Sequence, residues 1–506
     1  MIIVYLLLFL VSVLYLWIKH MYSYWERTPF SYIKPSMPFG NVADSSLGRK
    51  CMGMNLYDLY KSSNEPIVGI YLLFRPALLA RDADLVKCIL STDANSFYDR
   101  GIYHNPNDPV ANNMLMMTGQ EWKTTRGRLT PTFTSGKLKG MMPSIISIGE
   151  RLREKVAQSA DTNGIVEIKD LTIRFGLDVI GTVAFGLDVN TLDNPNDPFR
   201  DMERNVNNGQ IINRIRLIGA FFCPKILYML HMSSLSEDFK SYMVNMVRDT
   251  MEYREKHNTS RNDLIQLLMD LRKTGKVKGD NEYEKIEQSN ENSEEIMTVE
   301  QCAGQVGLFY LAGFDTTASA IANCLFELSR NPTLMQRLHD EIDEVLKRHD
   351  NVISYESINE MTFLEYCVLE SLRKYPTLPF LNRICTKDYP IPNTDLVIKE
   401  GTPIIISHLG LMRDAKYFPE PDKFMPDRFS ESNPNYNANA FIPFGDGPRT
   451  CIGLRMGKMV TKIGLIMLLQ KHNFECMEKN RELEFDNHSV TLVLKNGINL
   501  KIINRN

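Results

Sequence analysis

The chain opens on a run with no charged break and then alternates long helical periodicities with a few short apolar segments. Residues 2–18, IIVYLLLFLVSVLYLWI, carry no charge, and a helix of that length lies near the lower limit for crossing a bilayer. No basic residue precedes the run, and KHMYSYWER after it offers no small-residue cleavage site, so a retained anchor is expected in place of a cleaved signal peptide. Lys19, Arg27 and Lys34 follow at once, which by the positive-inside bias leaves the remainder on the cytosolic side. Pro29, Pro35 and Pro38 stiffen the next stretch. The expected organisation is an anchor at 1–19, a proline-containing linker at 20–40 and a single folded body at 41–506.

Within that body, apolar positions recur at helical spacing over 144–158, 167–186, 237–256, 262–272, 299–330, 333–348, 362–374 and 452–470. Strand-like segments are fewer: 67–73, 77–80, 402–406, and a C-terminal pair, VTLVLK and INLKII, whose Asn496-Gly497 junction predicts a hairpin. The polar, acidic stretch 275–296 reads as a solvated loop between helices. The fold class is therefore mainly α with a minor β-sheet.

Charge narrows the function. Net charge is -3 over 506 residues, which lacks the basic excess that phosphate binding needs and excludes a nucleic-acid binder. Nine cysteines are odd in number, scattered, and include no C-x-x-C pair, so neither a zinc site nor a disulfide framework is expected. Absence of a G-x-G-x-x-G after a strand and of a P-loop argues against direct binding of NADPH or a nucleotide.

Four constellations carry candidate chemistry. The longest helical pattern starts at a capping box, Thr298 with Gln301, and runs to Asn331-Pro332, roughly 50 Å at 1.5 Å per residue. It contains AGFDTTAS, where Ala312 and Gly313 leave a groove and Asp315 and Thr316 set an acid beside a hydroxyl that can bond back to a carbonyl one turn earlier. The same residues would also serve as a packing glycine with polar neighbours on a solvated face. In ESLRKYP, Glu370 and Arg373 lie three apart on one helical face, a spacing equally common in exposed pairs. Trp122 and Arg126 lie one helical turn apart and could converge on an anion, as many unrelated Trp-x-x-x-Arg pairs do not. FIPFGDGPRTCIG is more restrictive: Gly445, Gly447 and Gly453 admit a close backbone approach, Arg449 supplies a cation, Phe444 shields a sulfur, and a helix beginning at 452 favours thiolate at Cys451. A thiolate so placed is a soft ligand for a transition metal.

These motifs together resemble a cytochrome P450. F-x-x-G-x-R-x-C-x-G is matched by Phe444, Gly447, Arg449, Cys451 and Gly453; A-G-x-D-T-T by 312–317; E-x-x-R by Glu370 and Arg373; and P-x-R-F by Pro426, Arg428 and Phe429. NRICTKDY (382–389), RNDLIQLL (261–268) and CIGLRMGKM (451–459) are similar to the membrane-anchored insect enzymes of family six, although Met412, Ala415 and Met456 depart from the residues frequent there. The resemblance implies a cytochrome P450 fold at 41–506 and haem b held by Cys451 as axial thiolate. It implies that Trp122, Arg126, Arg383 and Arg449 hold the propionates, that Ala312 and Phe444 flank the ring, and that Glu370, Arg373 and Arg428 form a structural charge network. Asp315 and Thr316 would relay protons. The reaction implied is insertion of one oxygen atom from O2 into lipophilic molecules, xenobiotics or endogenous lipids and hormones. Electrons would come from NADPH through NADPH–cytochrome P450 reductase, with cytochrome b5 as a second donor, at the endoplasmic reticulum membrane. Substrate contacts are expected near 101–120, 205–230, 306–309, 377–381 and 488–492. A thiolate-haem isomerase or dehydratase, and a non-catalytic haem sensor, are the alternatives.

Overall fold

Helix Val299–Arg330 forms the axis of the molecule, and its limits are those that its caps dictate. The Thr298 side chain accepts the Gln301 backbone N–H at 3.2 Å, while the Gln301 side chain accepts the Thr298 N–H at 2.9 Å, which satisfies two otherwise orphaned donors. Asn331 ends it, and Pro332 opens the next helix, Pro332–Arg348, where its missing N–H costs nothing. The computed structural model describes residues 1–206, 210–274, 297–432, 434–478 and 482–505, so the acidic stretch expected as a loop at 275–296 lies outside the described residues.

This central helix is buried on almost every side, against helices Ile168–Val179, Glu237–His257, Thr362–Lys374 and Leu454–Leu469. Close approach requires small residues: a Cβ on Gly176 would come 2.9 Å from the Phe314 carbonyl oxygen, and one on Gly464 would come 2.6 Å from Ile321. Burying the polar Glu327 is tolerated because Lys374 Nζ and the Tyr375 hydroxyl both reach its carboxylate, at 2.7 and 2.5 Å.

Strands β1 (Ile67–Leu72), β2 (Arg75–Ala80), β3 (Ile165–Glu167), β4 (Phe380–Ile384), β5 (Tyr389–Pro390), β6 (Val397–Ile398), β7 (Pro403–Ser407), β8 (His472–Cys476) and β9 (Asn499–Asn504) form three small sheets. The largest has the order β1-β2-β7-β4, with β2 and β7 parallel and the helical body threaded between them in sequence. Register places Arg383 opposite Ile404.

The expected C-terminal hairpin does not form. Strand β9 pairs with β8 and β3, while VTLVLK folds back on residues 484–486, with Asp486 N–H to Val493 O at 2.7 Å and Lys495 N–H to Glu484 O at 2.9 Å. Glu167 directs this outcome: its carboxylate accepts the Ile498 N–H at 2.7 Å and closes over Gly497, whose φ is +60°. Two further expectations shift. The helix expected at 144–158 runs over Ser135–Thr162 with Pro143 inside it, and the one at 167–186 passes into a wider turn at Ile180–Ala184.

An exposed, apolar N-terminal helix spans Ile2–Met21, long enough to cross a membrane. The stretch 20–40, expected as a linker, is instead folded onto β1. Trp25 is 2% exposed and donates its indole N–H to Ile70 O at 2.9 Å. The Tyr71 hydroxyl donates to Tyr22 O at 2.7 Å, and Tyr32 bridges Gly69. Glycine is required at 69, because a Cβ there would sit 2.7 Å from the Trp25 ring.

Candidate active site

Residues 441–453 build a tight loop in front of helix Leu454–Leu469. Gly445 and Gly447 have φ of +73° and +66°, conformations that cost other residues energy. A side chain on Gly447 would also collide with the Leu90 carbonyl. Cys451 N–H donates to Phe444 O at 2.9 Å, folding the loop so that half-buried Phe444 lies beside the cysteine. Cys451 is the one exposed cysteine of the nine; Cys88 and Cys223 are intermediate and the rest are buried. Its thiol is nevertheless strongly desolvated.

The thiol is not the low-pKa group expected from the sequence. Burial pushes it above its ordinary range, outweighing the Gly453 N–H and the Arg126 and Arg100 guanidiniums, which pull it down. The reason is partly positional: the helix begins at Leu454 with Gly453 as its cap, so Cys451 lies before the first turn. Such a thiol becomes a ligand when a cation is supplied, since coordination deprotonates it.

Midway along the otherwise buried central helix runs an accessible stripe, Leu308, Leu311, Ala312 and Thr316 with Gly313 at its edge, and Ala312 is its exposed member. The spacing defines a single helical face. Thr316 and Thr317 donate back to the Ala312 and Gly313 carbonyls at 2.7 and 2.9 Å, and the helix continues through them. Asp315 does not lie alongside Thr316 as expected. Its carboxylate points into the protein, 7% exposed, and accepts the Thr491 hydroxyl at 2.9 Å. Burial pushes its pKa up, against the Thr491 hydrogen bond and Lys169.

Arg449, Arg383, Arg126 and an arginine that sequence reasoning missed, Arg100, form a cationic cluster. Arg449 lies over the Trp122 ring at 3.9 Å and donates to Tyr98 O and Met117 O at 2.7 and 2.8 Å. Burial lowers all four guanidinium pKa values. It takes Arg449 to about 9, with Arg100 adding to the effect, and Arg100 to about 10, with help from Arg126; Arg383 is also depressed by Arg100 and Arg449. The nearby carboxylate is Asp99, 3.6 Å from Arg449. Arg383 Nη2, Arg100 Nε and His408 Nε2 are buried without a hydrogen-bond partner. Buried unpaired donors and uncompensated cations are costly, so the residues fit a flat cofactor that carries two carboxylates and a metal able to take the Cys451 sulfur. No sequence spacing marks Arg100, which sits alone in the loop before Gly101.

Behind the site, Glu370, Arg373 and Arg428 are buried together as expected. Glu370 accepts Arg373 Nε at 2.7 Å, Arg428 Nε at 3.1 Å and the Met425 N–H at 2.9 Å. Arg373 also donates to Met412 O and Pro421 O at 2.8 and 2.7 Å, tying its helix to the chain that leads into the cysteine loop. Separately, a cavity of about 690 Å³ opens between Tyr103–Val110, Leu227–Ser233 and helix Glu237–His257. Its walls belong to two of the loops expected to contact substrate, and the backbone of Pro109 and Val110 lies against Gly304 of the central helix.

A mainly helical body with a cysteine on a glycine loop beside a cluster of buried arginines, and an accessible stripe with small residues on its central helix, fits the haem-thiolate class of oxidative enzymes. Comparison supplies the family: the cytochrome P450 family model matches residues 34–502. Cytochrome P450 6d3 of Musca domestica is 40% identical over 515 residues, spanning 99% of this chain and 98% of its own. Cytochrome P450 6d1 of the same fly is 38% identical over 98% of both chains, and cytochrome P450 6a2 of Drosophila melanogaster is 36% identical over 99% of both. The chain belongs to the cytochrome P450 family and is a monooxygenase of that family, most similar among these to insect family-six members.

Proposed function

We propose that this monooxygenase inserts one oxygen atom from O2 into lipophilic small molecules, with electrons from NADPH delivered by NADPH–cytochrome P450 reductase, and cytochrome b5 as a second donor, at the cytosolic face of the endoplasmic reticulum. The observation that carries the reading is Cys451, the one exposed cysteine, beside a cluster of buried arginines in which Arg100 and Arg383 keep donors without partners. Haem, when bound, supplies the activation of O2 and the oxygen transfer. The protein's part is placement. Cys451 offers its sulfur to the iron. Arg126, Arg383 and Arg449, joined by Arg100, would neutralise the propionates through charge-assisted hydrogen bonds, and Trp122 would add its neutral indole N–H as a donor. Ala312 keeps the helix face low where O2 must fit, and Phe444 shields the sulfur from water. Thr316 lends a hydroxyl to that face, and Asp315 supplies protons from the buried side.

Cations around the cysteine loop support a donor-docking face. Arg455 donates to Ser135 at 3.2 Å, which brings the 452–458 segment against the start of helix Ser135–Thr162. Lys139 is paired with Glu356 and Lys458 with Glu365; Lys123 is exposed, its ammonium over the Tyr98 ring. Lys123 and Arg455 are therefore the better probes of that face. The test is turnover of a lipophilic panel by membranes holding this chain and the reductase. Product with NADPH consumption supports the reading. Binding without consumption indicates a sensor, and conversion without NADPH an isomerase or dehydratase.

A further inference from the structure

Asp315 is held by a chain of hydroxyls from the C-terminal loop. Thr491 Oγ1 donates to Asp315 Oδ2 at 2.9 Å, and Ser489 Oγ lies 3.0 Å from Thr491 Oγ1. Geometry sets the direction. The single Thr491 hydroxyl proton is committed to the carboxylate, so Ser489 must donate to Thr491; Ser489 Oγ is free to do so because it accepts the Thr491 backbone N–H at 3.2 Å. Ser489 and Thr491 are both partly exposed, whereas Asp315 is buried. The loop is fixed at both ends, by Leu492 N–H to Thr377 O at 3.0 Å and by His488 N–H to the Asp486 carboxylate at 2.7 Å.

We propose that Ser489 and Thr491 are the outer members of a proton path whose buried end is Asp315. This rests on Asp315 serving as a proton source in the reaction proposed above. An incoming proton from hydronium or a buffer acid bonds to Ser489 Oγ, the Ser489 proton passes to Thr491, and the Thr491 proton passes to the Asp315 carboxylate. Each hydroxyl gains one O–H bond and loses one, no electrons move, and rotation of the two hydroxyls resets the chain. Lys169, whose Nζ is held by Leu494 O at 2.7 Å, is the cation facing the same carboxylate.

Two measurements on the full-length holoenzyme test this. In infrared spectra of the resting protein, the protonated-carboxyl band assigned by its loss in Asp315→Asn should persist to higher pH in Thr491→Val, which removes a hydrogen bond to the carboxylate, but not in Thr491→Ser. In membranes with reductase, Thr491→Val should lower product formed per NADPH by up to about a hundredfold, the low end of what positioned proton-transfer groups contribute, and enlarge the solvent isotope effect. Ser489→Ala should do the same to a smaller extent, and Thr491→Ser should restore coupling. Equal uncoupling in Thr491→Val and Thr491→Ser would overturn the path, as the side chain would then act by packing or substrate contact. Coupling like that of wild type in both Thr491→Val and Ser489→Ala would also overturn it. Wild-type membranes that consume no NADPH with any substrate would overturn the monooxygenase reading itself, and the path with it.

Discussion

Glu370 shows how a pair that is ordinary on a surface becomes decisive once buried. Its carboxylate, with no solvent exposure, is the shared anion of Arg373 and Arg428. Removing one member of a buried ionic group costs about 3–5 kcal/mol, because the partners remain as uncompensated charges. Glu370→Ala should therefore express with little haem and a lowered melting temperature, measured by haem-to-protein ratio and calorimetry; normal haem yield would return the E-x-x-R spacing to a surface role. Cys451, Glu370, Arg373 and Arg428 were legible in the sequence because each lies in a motif of fixed spacing. Arg100 and the true direction of Asp315 were not. Arg100 matters only through tertiary assembly with residues at 126, 383 and 449, and Asp315 is turned by Thr491, a residue 176 positions away.

Among the elements, those bounded by local chemistry were readable and those bounded by distant pairing were not. The central helix, Val299–Arg330, begins after Thr298 and ends before Asn331-Pro332 because a capping box and a proline say so. The C-terminal hairpin failed because β9 finds better partners in β8 and β3, which no local signal announces. Helices Ile211–Phe221 and Pro224–Met229 were likewise not marked by a clear periodicity. The cysteine loop is the element most sensitive to backbone change. Gly447→Ala meets both a left-handed φ and the Leu90 carbonyl, and should distort the loop. The expected outcome is loss of most haem with the helical circular-dichroism signal retained; full haem occupancy would show that the loop tolerates a side chain there.

For the molecule as a whole, the apolar N-terminal helix and the body that follows are joined through folded chain. Trp25 packs under β1 directly after the apolar helix, and Trp17 touches Phe74 with ring centroids 5.4 Å apart. Truncating a buried aromatic of this size costs about 3–5 kcal/mol, so Trp25→Ala should lower the melting temperature of the membrane-bound protein by several degrees. Deletion of residues 2–18 should release the protein from membranes with a much smaller loss. Equal stability of Trp25→Ala and wild type would restore the view of 20–40 as a passive linker. The central claim, that Cys451 joins this fold to haem iron, is tested most directly by the absorption spectrum of the reduced, carbon monoxide-bound protein. Wild type should show the strongly red-shifted Soret band of thiolate ligation and Cys451→Ser should lose it; persistence of the shifted band in Cys451→Ser would place the ligand on one of the other eight cysteines and contradict the account.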